Sequence, residues 1–151
     1  MMENSKAQWQ EITALLDKLD DMDKAFATTI VYDYMITQIY AEFEQSLSDL
    51  LLSKTKSNNE FANAYIANQK QMHRGLKIND INGLLRGMKV LKKGGSCVNN
   101  KLQTQHDSFL TTRHSLTHTN MNKDRSNSLS IDIILANSDE ILKQIKQLLC
   151  L

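Results

Sequence analysis

Apolar residues along the chain recur at three- and four-residue steps and seldom alternate, a spacing that predicts helices. Trp9, Ile12, Leu15, Leu16 and Leu19 mark a first amphipathic helix over about Ser5 to Asp21. A longer one runs from about Asp23 to Ser53, with Phe26, Ile30, Val31, Tyr34, Met35, Ile39, Phe43, Leu47, Leu50 and Leu51. Both ridges of that helix are apolar, which predicts a central position touching several neighbours. The polar run 54–59 breaks the pattern, and Ser57 or Asn58 is a candidate cap for a third helix. This third helix, about 59–73, carries Phe61, Tyr65, Ile66 and Met72 and stops at Gly75. Asn79 or Asp80 is the candidate cap of a short helix containing Ile81, Leu84, Leu85 and Met88. The stretch 92–100, with two glycines and two asparagines, reads as a loop. A fifth helix over about 101–118 includes Leu102, Phe109, Leu110 and Leu116, and a polar stretch, 119–128, follows it. The last helix, about 129–150, starts after the cap candidates Ser128 and Ser130, with Asn137 and Ser138 as a candidate interruption.

Composition supports that reading. The chain contains no proline and five glycines, so little in it breaks helix interiors. Sparse aromatics and short β-branched runs argue against a sandwich or barrel. A length of 151 residues fits one domain able to bury a core. The expectation is all-α: a single up-and-down bundle of five or six helices over residues 1–151. Cys97 and Cys150 lie far apart and form no CxxC pattern, which fits free thiols in a reducing compartment. No basic-then-apolar leader opens the sequence and no run approaches a membrane span, so the expected location is the cytoplasm, with no membrane partner.

Net charge is +1, but it is unevenly spread. Residues 1–60 hold eleven acids against five bases, a balance of −6, while residues 86–125 hold eight bases against Asp107 and Asp124, a balance of +6. That asymmetry points to a polyanion partner, or else to acidic helices that pair with the basic stretch in the fold.

One short segment carries candidate chemistry. Residues 109–120 contain Arg113, then the polar His114, then His118, an R-x4-H spacing. In this the segment resembles the HEPN family motif, an arginine followed by a polar residue and, four to six positions on, a histidine. The stretch 40–51, with an aromatic and a glutamate ahead of an apolar run, resembles the family's earlier helix. The stretch 78–88 is similar to the short middle helix of the RiboL-PSP-type subgroup. The resemblance covers nearly the whole chain, but only Arg113 and His118 are specific. It implies a HEPN-like helical bundle, a homodimer with two motifs facing one cleft, and RNA as substrate. Arg113, His118 and His114 would then be catalytic, with Glu44, His106, Lys123 and Arg125 supporting or binding RNA, Glu44 as a buried partner that fixes an arginine. No cofactor and no metal are expected. Family setting further implies a toxin or effector of a toxin–antitoxin or anti-phage defence system, with a cognate antitoxin or regulatory protein. Toxins of this family that are modified on a tyrosine two residues beyond the histidine differ here, where that position is Asn120.

The residue types suit RNA cleavage. The 2′-hydroxyl is a built-in nucleophile, so the enzyme supplies a base, an acid and a cation. Histidine titrates near pH ~6.5, and arginine grips phosphate oxygens through paired donors. Five helical residues turn through roughly 500°, leaving Arg113 and His118 about 140° apart. Either the helix ends near Leu116 and frees His118, or the two lie on opposite sides of the cleft.

Plainer roles exist for each residue. Arg113 could pair with Asp107, His118 could sit on the helix C-terminal dipole, and His114 and Glu44 could be solvated. His106, seven residues before Arg113, shares its face and is a candidate for lining the cleft. His114 and His118 are spaced for one metal, but neither HExxH nor CxxC accompanies them. A phosphate-binding glycine loop and a nucleophile elbow are likewise missing. The competing reading is a non-catalytic helical dimer acting as a binding, antitoxin or scaffold module.

Overall fold

A computed structural model describes residues 1–68, 75–118 and 128–151; the side chains of Ser57, Thr117 and His118 lie outside that description. Among the described residues there are six helices: α1 (Glu3–Leu16), α2 (Asp21–Ser57), α3 (Asn59–Asn68), α4 (Ile78–Gly87), α5 (Asn100–His118) and α6 (Ile131–Leu148). Among the described residues there is no strand, and no helix is long and apolar enough to cross a membrane. The expected all-α bundle is therefore what forms.

α2 is its spine. At 37 residues it spans about 55 Å and packs against α1, α3, α5 and α6. Met35, Ile39, Phe43, Leu47 and Leu51 follow one another every four residues and are all fully buried, so a single i,i+4 ridge lines the core. Facing it are Leu102, Phe109 and Leu110 of α5, and Ile134, Ile141, Leu142 and Ile145 of α6, within one connected cluster.

Helix ends differ from the sequence expectation where the cap comes from another helix. α1 stops at Leu16, short of Asp21, because Asp20 already accepts a hydrogen bond from the Asp23 amide at 2.9 Å and starts α2. The Glu42 carboxylate on α2 accepts from the Asn4 and Ser5 amides at the other end of α1. α4 begins at Ile78, ahead of both Asn79 and Asp80. Its cap is Asp107 of α5, which accepts from the Ile78 amide at 3.0 Å. α2 continues to Ser57, through the expected polar break. α6 runs uninterrupted past Asn137 and Ser138: Ser138 is buried and the Asn137 amide donates to Gln105 on α5. Ser130 caps α6 by accepting from the Ile133 amide. Of the expected third helix, α3 accounts for 59–68, and 69–74 lie outside the described residues. Gly75 does mark the turn before α4, with φ +114°, a value that favours glycine.

The loop between α4 and α5 is tied down by buried polar groups. Asn82 donates to the Ser96 hydroxyl at 3.0 Å and accepts from the Cys97 amide at 2.9 Å. Arg86 donates to the Gly95 carbonyl, and Asn99 caps α5 through the Leu102 amide. Cys97 is buried and its thiol is pushed up to about 11 by desolvation, so it stays protonated and unreactive. On α6, burial disfavours the Asp139 carboxylate, but hydrogen bonds from Lys143, the chain's amino group and Lys6 more than offset this and bring it down to about 2.

His106 belongs to this core and not to a cleft. It does share the Arg113 face of α5, but that face turns inward: its side chain is 1% exposed and lies against the Phe43 and Phe109 rings, at 4.9 and 5.9 Å between centroids. Nε2 is 3.1 Å from the Leu76 carbonyl. A carbonyl only accepts, so Nε2 carries the proton and Nδ1 is left as a buried acceptor with no hydrogen-bond partner. Burial lowers its pKa, against smaller upward pulls from the Leu76 carbonyl and Asp107.

Two consequences are measurable. The unfolded chain binds a proton at His106 near pH ~6.5 while the folded chain resists it. Stability is thus complete above that pH and falls as pH drops through it. Urea unfolding at pH 7.5 and 5.0 should show this loss, and His106→Gln, which keeps the donor, should reduce it; an unchanged pH dependence in the variant would remove His106 as its source. Asp107→Ala should cost about 1 kcal/mol by uncapping α4, read from the same experiment.

Candidate functional site

Arg113 enters as the next step of the inward stripe of α5. Leu102, His106, Phe109 and Arg113 follow at intervals of four, three and four, the spacing that keeps one helix face inward. The first three are buried; the fourth is a cation. α2 meets it with the ring of Tyr40, whose centroid lies 4.0 Å from the guanidinium carbon. Such a contact contributes roughly 0.5–1 kcal/mol when exposed and more when desolvated. The Tyr40 hydroxyl donates to Glu44, one turn further along α2, at 3.2 Å. Burial raises the tyrosine pKa, the Glu44 charge raises it further, and Arg113 opposes both. The hydroxyl therefore remains a donor at neutral pH.

Arg113 and Tyr40 line a pocket of about 310 Å³ together with Gly75, Lys77, Leu110, Thr111 and His114. Its wall brings Arg113, Lys77 and an imidazole onto one concave surface. Asp107, a candidate partner for Arg113 by sequence, instead accepts from the Ile78 amide at the start of α4. An arginine backed by an aromatic ring, a lysine and a histidine form a cationic recess suited to phosphate. A larger groove of about 460 Å³ between α5 and α6 has Lys101 and Glu140 in its lining and no comparable convergence of cations.

Arg113 and His114 thus come together as expected. His118 is the last residue of α5, and its side chain lies outside the described residues. Helical backbone persists through it, so the helix does not end near Leu116. By register His118 stands about 140° round from Arg113 and about 40° from His114. Glu44 is exposed and is not the buried partner that was expected; it reaches Arg113 through Tyr40. Lys123, Arg125 and Asn120 lie outside the described residues. Among the described residues no three His, Cys, Asp or Glu side chains converge on a point that would hold a metal ion. Of the two charge-rich stretches, Lys89 and Glu60 form the one ion pair joining them among the described residues, at 3.7 Å.

Sequence reasoning did not single out Tyr40 and Lys77. The available signal for Tyr40 was its i,i+4 spacing to Glu44. Lys77 is brought in by the turn before α4, which no local pattern encodes. A double-mutant cycle of Tyr40→Leu and Arg113→Met should give a coupling energy of about 0.5–1 kcal/mol in thermal or urea unfolding; additive losses would show that the stacking contributes nothing. Comparison of the chain with protein families, curated proteins and solved structures finds no match.

Proposed function

We propose that the protein is a metal-independent endoribonuclease of the HEPN type that acts as a cytoplasmic homodimer. The observation that carries this reading is Arg113, held against Tyr40 at the wall of a pocket that also contains Lys77 and His114. A cation fixed by an aromatic face loses little rotamer freedom on gripping a phosphate. Its likeness to the HEPN motif rests on Arg113, His114 and His118, and the helical bundle is compatible with that family's fold.

In the proposed reaction a histidine takes the proton of the RNA 2′-hydroxyl. The 2′-oxygen attacks the adjacent phosphorus, and the bond to the 5′-oxygen breaks. A second histidine gives its proton to that leaving oxygen. Arg113 neutralises charge on the non-bridging oxygens, where it increases in the transition state. Lys77 steers the backbone, and His114 orients the scissile phosphate. One chain supplies one His118, so base and acid come from His118 and from His118 of the partner subunit. The products are a 2′,3′-cyclic phosphate and a 5′-hydroxyl. Lys123 and Arg125 extend the basic surface along the RNA. Such an activity suits a toxin or effector in a toxin–antitoxin or anti-phage system, restrained by a cognate protein.

Incubating total RNA with purified protein in EDTA should give fragments ending in 2′,3′-cyclic phosphate. His118→Ala and Arg113→Ala should each lower the rate by at least about 100-fold, and Lys77→Ala by less. Cleavage that EDTA abolishes would rule out the metal-independent route. RNA left intact by the wild type would favour a non-catalytic binding, antitoxin or scaffold module.

A further inference from the structure

The buried ridge of α2 has an apolar twin that stands exposed among the described residues. One residue ahead of Val31 and Met35, and parallel to their ridge, run Met22, Phe26, Ile30 and Tyr34. They are 84, 73, 57 and 43% exposed. α1 continues the same face. Gln8 donates to the Tyr34 hydroxyl and Asp17 pairs with Lys24, so the two helices run antiparallel with Leu15 level with Phe26. Leu15 is seven residues after Gln8 and hence on the same flank of α1. It is 62% exposed, and Leu19 in the following turn 41%. Six large apolar side chains thus form one face, on the order of 600 Å² of apolar surface, at the upper limit for a monomer with no partner.

Charge around this face selects the partner. Residues 11–34 contain Glu11, Asp17, Asp20, Asp21, Asp23 and Asp33 against Lys18 and Lys24, a balance of −4. An anionic lipid surface would be repelled. A second copy is disfavoured by register. Laying the ridge antiparallel on itself, Met22 against Tyr34 and Phe26 against Ile30, also sets Asp23 opposite Asp33. A parallel pairing sets Asp20, Asp21 and Asp23 against their own copies. Both place like charges at the rim, which costs affinity. A helix with an apolar stripe flanked by lysine or arginine meets neither obstacle.

We infer that the α1–α2 hairpin face is a docking site for a basic amphipathic helix of another protein, seated along the Met22–Tyr34 ridge. The ridge is about 18 Å long, the length of three to four turns of a partner helix. Leucine- or isoleucine-like side chains four apart fill the spaces between Phe26, Ile30 and Leu15. Basic flanks pair with the aspartates at the start of α2. This face is separate from the Arg113 pocket and stands whether or not RNA is cleaved.

The probe is a fluorescein-labelled, end-blocked peptide of about fourteen residues, built from leucine, alanine and lysine with leucines on one helical face. Fluorescence anisotropy with the full chain should give a Kd on the order of 10 µM. Phe26→Asp and Ile30→Asp, both at exposed positions and checked for helix content by circular dichroism, should each weaken binding at least about tenfold. Replacing the peptide lysines by glutamates should weaken it as much, and so should scrambling the sequence to destroy the apolar face. Equal binding of the glutamate or scrambled peptide, or no effect of either substitution, would overturn the proposal. So would light scattering that shows a dimer which Phe26→Asp converts to monomer, since the occupant would then be a second copy.

Discussion

Burial of the Met35–Leu51 ridge is the constraint on which the rest of the structure depends. A 37-residue helix cannot be held by its own hydrogen bonds alone in water; its packed face stabilises it. That face follows an i,i+4 ridge, which winds slowly about the helix axis, so the partners of α2 change along its length. Near Tyr40 the ridge meets α5, and near Glu42 the adjacent surface meets the start of α1. At its first turns α2 packs along α1, and among the described residues a second apolar ridge is left exposed.

The same geometry gives three acidic side chains structural roles. Glu42 and Asp107 answer the N-termini of helices distant in sequence, and Asp139 joins Lys6 of α1 to Lys143 one turn along α6. Carboxylates at helix N-termini satisfy amides that have no partner within the helix, and they complement the dipole. Part of the acidic excess in the first sixty residues is consumed in this way. Asp17, Asp20, Asp21 and Asp23 gather at the α1–α2 turn, beside the exposed apolar face.

The candidate site sits where the apolar stripe of α5 changes character. A hydrophobic residue at 113 would have continued the core against Tyr40. Arginine there keeps its aliphatic stem and flat guanidinium face against the ring, and its remaining donors reach the pocket. The stacking is a local compromise: a core position gives up apolar burial to hold a charge in a fixed place. His106, one heptad earlier on the same stripe, shows the other outcome. There burial among the Phe43 and Phe109 rings keeps an imidazole neutral against the weaker upward pull of the Leu76 carbonyl it hydrogen-bonds.

Periodicity alone determined the helical class and the central place of α2, because those follow from which residues must leave water, and it bounded the helices at five or six. It also marked Arg113 and His114 as neighbours of interest, since adjacency and spacing are properties of the chain itself. The start of α1, the start of α4 and the continuity of α6 needed tertiary structure, because the groups that cap or accommodate them are distant in sequence. Tertiary structure alone also decided that His106 is core, that Glu44 reaches Arg113 through Tyr40, and that Lys77 joins the pocket. A one-dimensional pattern fixes which face a residue occupies. What that face meets depends on how the helices pack, and a side chain's protonation and partners are set by what it meets.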